Sequence, residues 1–168
     1  MSETKVYHPE LIPRKGERTA WSLTILATLG LFLFRHTWGS IPFSVWFFWG
    51  FLLFSALSIS LGNWMDRQTT LTISSEGVTF TNGVRHTHLS WDEIERVRVF
   101  PARWGRTVQV LGREAHFEFR TLGEVSYRGE VRGRMGFAEG EDILAKILES
   151  SGLTLKEEEN GKYVYARS

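Results

Sequence analysis

Residues 36–65 read HTWGSIPFSVWFFWGFLLFSALSISLGNWM, thirty positions without Asp, Glu, Lys or Arg. As a helix, the 21 residues at its centre, 41–61, are about 31 Å long at ~1.5 Å per residue, which matches a hydrocarbon core of ~30 Å. The stretch reads as a transmembrane helix over 41–62. It is aromatic-rich at its start, and its later half carries small residues. Ala56/Ser60 and Ser58/Gly62 are small-xxx-small pairs, spaced to let another helix approach closely.

Upstream, residues 20–34 (AWSLTILATLGLFLF) form a shorter apolar run. It becomes long enough to span if the helix extends through Trp38 and Arg35 reaches back to the interface. Gly39, Ser40 and Pro42 between the two runs suit a tight turn and a fresh helix start. The expectation is a two-helix transmembrane hairpin over 20–65, with helices at 20–38 and 41–62. Lys5, Arg14, Lys15 and Arg18 precede it and Arg67 follows it, whereas the turn has only Arg35. The excess of basic residues on the flanks places both termini in the cytoplasm. Residues 1–19 read as a polar, poorly ordered cytoplasmic arm. No Asp, Glu or Lys lies within either run, which argues against an ion or proton path.

The chain has 168 residues and a net charge of +1, so nucleic acid is not an expected partner. It has no cysteine, which excludes disulfides, thiol nucleophiles and thiolate metal ligands. From residue 67 to the end, the texture is that of short antiparallel strands. TTLTIS (69–74) and VTFTN (78–82) alternate apolar and polar positions, and Asn82-Gly83 signals a hairpin. VRHTHLS, IERVRVF, GRTVQVLG and EAHFEFRT continue the pattern. Ser90-x-x-Glu93 has the spacing of a capping box for a short helical turn. Residues 122–138, rich in Gly and Arg, give no clear element. EDILAKILESS (141–151) is an amphipathic helix with Gly152 at its stop, and Asn160-Gly161 suits a last hairpin in the tail 153–168.

Three segments carry a resemblance: LTISSEGVTF, HLSWDEIERVRV and the closing ILAKILESS. Through them, residues 69–151 resemble the bacterial pleckstrin-homology-like (PH-like) domains that follow a two-helix membrane hairpin. The resemblance implies an α+β membrane protein, in which the hairpin leads into a mainly antiparallel PH-like barrel or sandwich closed by a C-terminal amphipathic helix. Trp91 and Ile94 are its expected packing anchors. It implies location in the bacterial inner membrane as a multi-pass protein and a binding or scaffolding role, and it supplies no catalytic residue and no cofactor.

Two constellations stand out in the β region. His86 and His88 share one strand face, as do His116 and Glu118, and neighbouring strands would bring four metal ligands together. Solvent-facing strand residues are the simpler reading. The second is charge. Residues 96–134 hold nine Arg against four Glu, whereas residues 139–159 hold six Glu and one Asp against two Lys. Arg103, Trp104 and Arg106, with Arg128, Arg132 and Arg134, are the candidate surface for anionic lipid headgroups or a protein partner at the membrane. The expected protein is a non-enzymatic membrane-anchored scaffold whose partners are the bilayer and a membrane protein. The alternatives are a structural subunit or assembly factor of a larger membrane complex, and a small metal-dependent membrane enzyme.

Overall fold

Apolar alternation and turn residues set out the β region, and a computed structural model describes residues 4–11 and 15–167, apart from the Tyr127 side chain. In chain order the elements are β1 (Lys5–Tyr7), β2 (Pro9–Glu10), α1 (Lys15–Trp38), α2 (Phe43–Arg67), β3 (Thr69–Ile73), β4 (Gly77–Asn82) and β5 (His86–Ser90). There follow β6 (Ile94–Pro101), β7 (Arg106–Gly112), β8 (His116–Arg120), β9 (Gly123–Tyr127), β10 (Glu130–Phe137), α3 (Gly140–Ser151), β11 (Thr154–Glu159) and β12 (Lys162–Ala166). The chain divides into two compact units. One is the helical pair within residues 13–65; the other joins the N-terminal strands to everything from Asp66 onward.

The helical pair is antiparallel. Trp21 Nε1 donates to Ser60 Oγ at 2.7 Å, Thr24 Oγ1 reaches the Leu52 carbonyl at 3.4 Å, and Trp49 Nε1 donates to Thr28 Oγ1 at 2.8 Å. Ser60 Oγ and Asn63 Nδ2 both donate to the Glu17 carboxylate, at 2.9 and 2.8 Å. Fully buried Ala56 allows the close approach. Of the two small-residue pairs, Ala56/Ser60 is thus used within this helical pair, while Ser58 and Gly62 stay exposed. Gly39 closes α1 in the left-handed conformation, at φ +74, with its N–H bonded to the Arg35 carbonyl.

Both helices outrun the apolar stretches, since α1 already starts at Lys15 and α2 continues to Arg67. Among the described residues, α2 is the one helix apolar enough by itself to cross a membrane; the mean hydropathy of its apolar stretch is 1.8 and only 6% of that stretch is buried. α1 falls short because its apolar run, residues 20–34, is short and is flanked by Arg18 and Arg35.

In the β unit, three groups of strands enclose one core. The first sheet has the order β1-β3-β4-β5, the second β11-β12-β6-β7-β8, and a three-stranded ribbon β2-β10-β9. Every strand pair in them is antiparallel. Leu71, Ile73, Val78, Phe80 and Leu89 face inward from the first sheet, and Val97, Val99, Val108, Val110, Phe117 and Phe119 from the second. Aromatic rings join the groups. Phe80 stacks on Phe117 at 5.4 Å, and Phe119 meets Phe137 of β10 edge-on at 5.9 Å. α3 covers the core with Ile143, Leu144 and Ile147, and Gly152, at φ +65, ends it. Ile94 is fully buried and Trp91 packs against the same core, donating its Nε1 to the Ser75 carbonyl at 3.0 Å.

Three expectations are corrected here. The polar arm is no loose tail over residues 5–10, because Lys5, Val6 and Tyr7 pair with Ile73, Thr72 and Leu71, and Pro9 and Glu10 pair with Phe137 and Gly136. Burial of the Tyr7 side chain, 8% exposed, in the common core is the physical reason. Pro13 and Arg14 of the expected arm lie outside the described residues. Residues 122–138 form a ribbon, turned by Arg128 and Gly129 at φ 53 and 83 and bulged between Val131 and Gly133. Ser90 and Glu93 do bond, but around a turn between two strands; Glu93 Oε2 accepts from the Ser90 N–H at 2.9 Å and hydroxyl at 2.7 Å, and the Glu93 N–H donates to the Ser90 carbonyl at 3.1 Å. The tail does form its hairpin, and β12 adds to the edge of β6.

Candidate binding surface

Thr121, 4% exposed, is the point where several elements meet. Its N–H donates to the Arg106 carbonyl at 2.9 Å, and its Oγ1 accepts from the Arg106 N–H at 3.0 Å. A Cβ placed on Gly136, whose φ is +104, would stand 2.4 Å from the Thr121 carbonyl oxygen. One on Gly140, at the start of α3, would stand 2.6 Å from the Thr121 Cα. The start of β7, the end of β10 and the start of α3 therefore converge on one residue. Glycine is the residue that permits it. Beside this junction runs the β6–β7 turn, closed by the Ala102 N–H on the Gly105 carbonyl at 3.2 Å. Its Trp104 backbone lies against Gly123 at the root of β9.

This packing brings the turn residues Arg103, Trp104 and Arg106 to the root of the ribbon that carries Arg128, Arg132 and Arg134. The turn residues and Arg134 thus lie near the root of the ribbon, whereas Arg128 lies at its far turn. Their charges, however, are largely answered locally. Arg106 Nη2 meets Glu141 on α3 at 2.5 Å, Arg134 meets Glu124 at 3.6 Å across the ribbon, and Arg132 meets Glu130 at 3.6 Å. The Arg103 guanidinium lies over the Trp104 ring, 4.8 Å from its centre. Arg128 sits in the ribbon turn with its own interaction. All three ion pairs are solvent-exposed, so each is worth roughly 0–1 kcal/mol. Their consequence is a surface of alternating charge in place of the basic patch that composition suggested.

The basic and acidic blocks are also folded together. β12 pairs with β6 and carries β11 beyond it, so Arg98, Val164 and Glu157 lie in one cross-strand row. An open groove of about 460 Å³ runs there, lined by Arg96, Arg98, Phe100, Lys156, Glu157 and Glu159, among others. The tail hairpin was legible from Asn160-Gly161; its placement against β6 was not.

The two candidate pairs lie on different sheets, His86 and His88 on β5 and His116 and Glu118 on β8. His88 Nδ1 shares a hydrogen bond with Thr79 at 2.8 Å, and His86 Nδ1 with Thr81 at 3.0 Å, both across the β4–β5 hairpin. His116 and Glu118 sit on β8, the edge of the other sheet, where Glu118 accepts from Gln109 at 3.1 Å. Among the described residues, no group of three or more His, Asp or Glu is placed to hold a metal ion. The fold shifts Glu93 by local bonding and Tyr165 by burial. Hydrogen bonds from the Ser90 backbone and then from its side chain hold the Glu93 carboxyl below its ordinary range. Burial pushes the Tyr165 phenol up.

Residues 68–132 match the family model described as Bacterial PH domain. The match takes in β3 through β9 and the start of β10, and leaves out the helical pair, β1, β2, α3 and the tail hairpin. No curated protein and no solved structure matches the chain. Residues 68–132 are thus similar to a PH-like domain, within a β unit of mixed α+β structure, and that similarity suggests binding or scaffolding.

Proposed function

We propose that this chain is a non-enzymatic binding module of the bacterial inner membrane. Its two helices cross the bilayer as a hairpin and hold the PH-like domain in the cytoplasm, where it engages a protein partner. One observation carries the reading. β1 precedes the helices, β3 follows them, and the two strands pair in one sheet. Whatever crosses a membrane between them must therefore cross an even number of times. α2 is apolar, long and almost wholly unburied, so it needs an apolar surrounding. If α2 crosses, α1 returns the path.

α1 is equipped for that. Its 24 residues span about 36 Å at ~1.5 Å each. Thr24 and Thr28 bond back to the carbonyls of Ala20 and Thr24 at 2.9 and 2.8 Å, so their hydroxyls ask nothing of lipid. Leu26, Phe32 and Leu33 are exposed for lipid contact. Lys15, Arg18 and Arg67 at one end against Arg35 at the other favour a cytoplasmic domain. A protein partner is favoured over anionic headgroups because Arg106, Arg132 and Arg134 already face carboxylates.

The cysteine-free chain makes the test simple. Ser40→Cys in full-length protein should react with an impermeant maleimide on intact spheroplasts, and Lys162→Cys only after lysis. Labelling of Lys162→Cys in intact spheroplasts would reject this topology. Purification in mild detergent should retain a stoichiometric protein. Salt-sensitive binding of the purified chain to anionic vesicles, with no protein retained, would move the reading to headgroups.

A further inference from the structure

The helical pair is not packed evenly along its length. Away from the turn it is tight, with buried Thr24 and Ala56 in contact range and Glu17, Trp21, Ser60 and Asn63 bonded across it. Towards the turn it opens into a crevice of about 290 Å³. Ala27, Gly30 and Phe34 line it from α1, and Phe48, Trp49 and Leu52 from α2. Gly30 puts no side chain into it, and nothing lies within 4 Å of where its Cβ would be. The crevice runs about 10 Å along α1, the rise of seven residues at ~1.5 Å each.

Its walls are hydrocarbon. The one indole N–H among them, on Trp49, is already bonded to Thr28. A bound water needs two to four polar partners, and apolar cavities of only ~150 Å³ stay dry and take up apolar guests. In a bilayer the available guest is an acyl chain. The mouth of the crevice adds a second selection. Arg35 and His36 follow Phe34 directly, both are exposed, and neither makes an ion pair among the described residues. A cation at the end of a membrane helix is a natural partner for a lipid phosphate.

We propose that this crevice is a lipid site: it holds one hydrocarbon chain of an anionic phospholipid, with the headgroup phosphate held at Arg35 and His36. The proposal rests on the bilayer-spanning reading above and specifies which lipid chemistry the hairpin selects, in the leaflet at its turn. Gly30 sets the width of the crevice, and Arg35 sets the sign of the headgroup.

The test uses the full chain reconstituted in phosphatidylcholine vesicles that carry a trace of phosphatidylglycerol with a photoreactive group in mid-chain. After irradiation, label should concentrate on the lining residues Ala27, Gly30 and Phe34 of α1 and Phe48, Trp49 and Leu52 of α2. Gly30→Leu should lower it about tenfold, the change that ~1.4 kcal/mol of lost affinity produces. Arg35→Gln, at an exposed position, should lower labelling by the phosphatidylglycerol probe more than labelling by a phosphatidylcholine probe, whose phosphate is offset by its own choline cation. A disulfide formed by Trp21→Cys with Ser60→Cys reports that the helices remain paired in each variant. Label spread evenly onto Phe47, Phe51 and Phe54, with no response to Gly30→Leu, would overturn the site while leaving the hairpin in the bilayer. A chain that fails to float with the vesicles would overturn the bilayer reading and the site with it.

Discussion

Tyr7 lies opposite Leu71 across the β1–β3 ladder, although the whole helical pair stands between them in the chain. Both side chains enter the domain core, Tyr7 at 8% exposure and Leu71 at 0%. The domain is therefore built from two pieces of sequence, one on each side of the helices. Tyr7→Ala in the full chain should cost about 2–4 kcal/mol, as truncation of a large buried side chain does. Val6→Ala, on the outward face of the same strand, should stay within about 0.5 kcal/mol. Denaturant unfolding in micelles, followed by tryptophan emission, reads both. Equal effects would mean that β1 is a decoration and not part of the core.

Gly136 combines a left-handed backbone with a carbonyl where its Cβ would go. Gly136→Ala should destabilise by about 1–3 kcal/mol through overpacking at Thr121, and strain in the backbone adds to it. Gly62→Ala is the contrast, because that site is open and helical, and alanine there should gain about 0.5–1 kcal/mol. Opposite signs in thermal midpoint are the expected result.

Glu93 gives the domain an acid limb. Its ordinary value is 4.5 and the fold lowers it. A carboxyl lowered by folding stabilises the native state above its unfolded pKa, and that contribution is lost as pH falls through the native value. Stability from this group should be level at neutral pH and decline once pH drops below 4.5. Ser90→Ala removes the hydroxyl but keeps the backbone N–H, the larger of the two influences. The Glu93 titration, followed by carboxyl-carbon NMR, should move only part of the way back up. An unchanged midpoint would contradict the Ser90 hydroxyl bond.

The Arg106–Glu141 pair ties the β6–β7 turn to the first turn of α3. Arg106→Glu places two carboxylates together at the acidic start of α3, which already carries Asp142. The loss should be below about 1 kcal/mol at low salt, since both groups are half-exposed. It should shrink in high salt, and Glu141→Arg in the same chain should restore it. Failure of the double variant to recover would show that the Arg106–Glu141 ion pair does not carry the effect.

The strands from Thr69 to Arg120 and the helix α3 were legible in the sequence because each buries one regular face, and that face repeats every second or every third to fourth residue. Leu71/Ile73, Phe117/Phe119 and Ile143/Ile147 are the visible marks. β1 has only three residues, too few for a period, and its partner lies beyond two helices. The ribbon β9–β10 was illegible for a different reason. Most of it is exposed, and it is held by ladder hydrogen bonds and glycine approaches, which leave no apolar rhythm. At the candidate surface, sequence singled out six residues but could not show their partners. Glu124, Glu130 and Glu141 are ordinary surface acids until the fold sets each beside an arginine. Thr121 carried no signal at all, beyond the spacing of the glycines that gather around it.

β1 leaves the ribosome before either helix, and its partner β3 leaves after both. The intervening residues take on the order of several seconds to make, at ~5–20 residues per second. Through that interval the N-terminal strand has nothing to pair with. On the membrane-spanning reading proposed above, the two can meet, once β3 emerges, only if the hairpin has come back to the side from which it set out. A chain with one helix misinserted would then keep β1 across the bilayer, leave the β3 edge open and expose the core position that Tyr7 fills. Seating of β1 would in that case act as a latch on correct insertion.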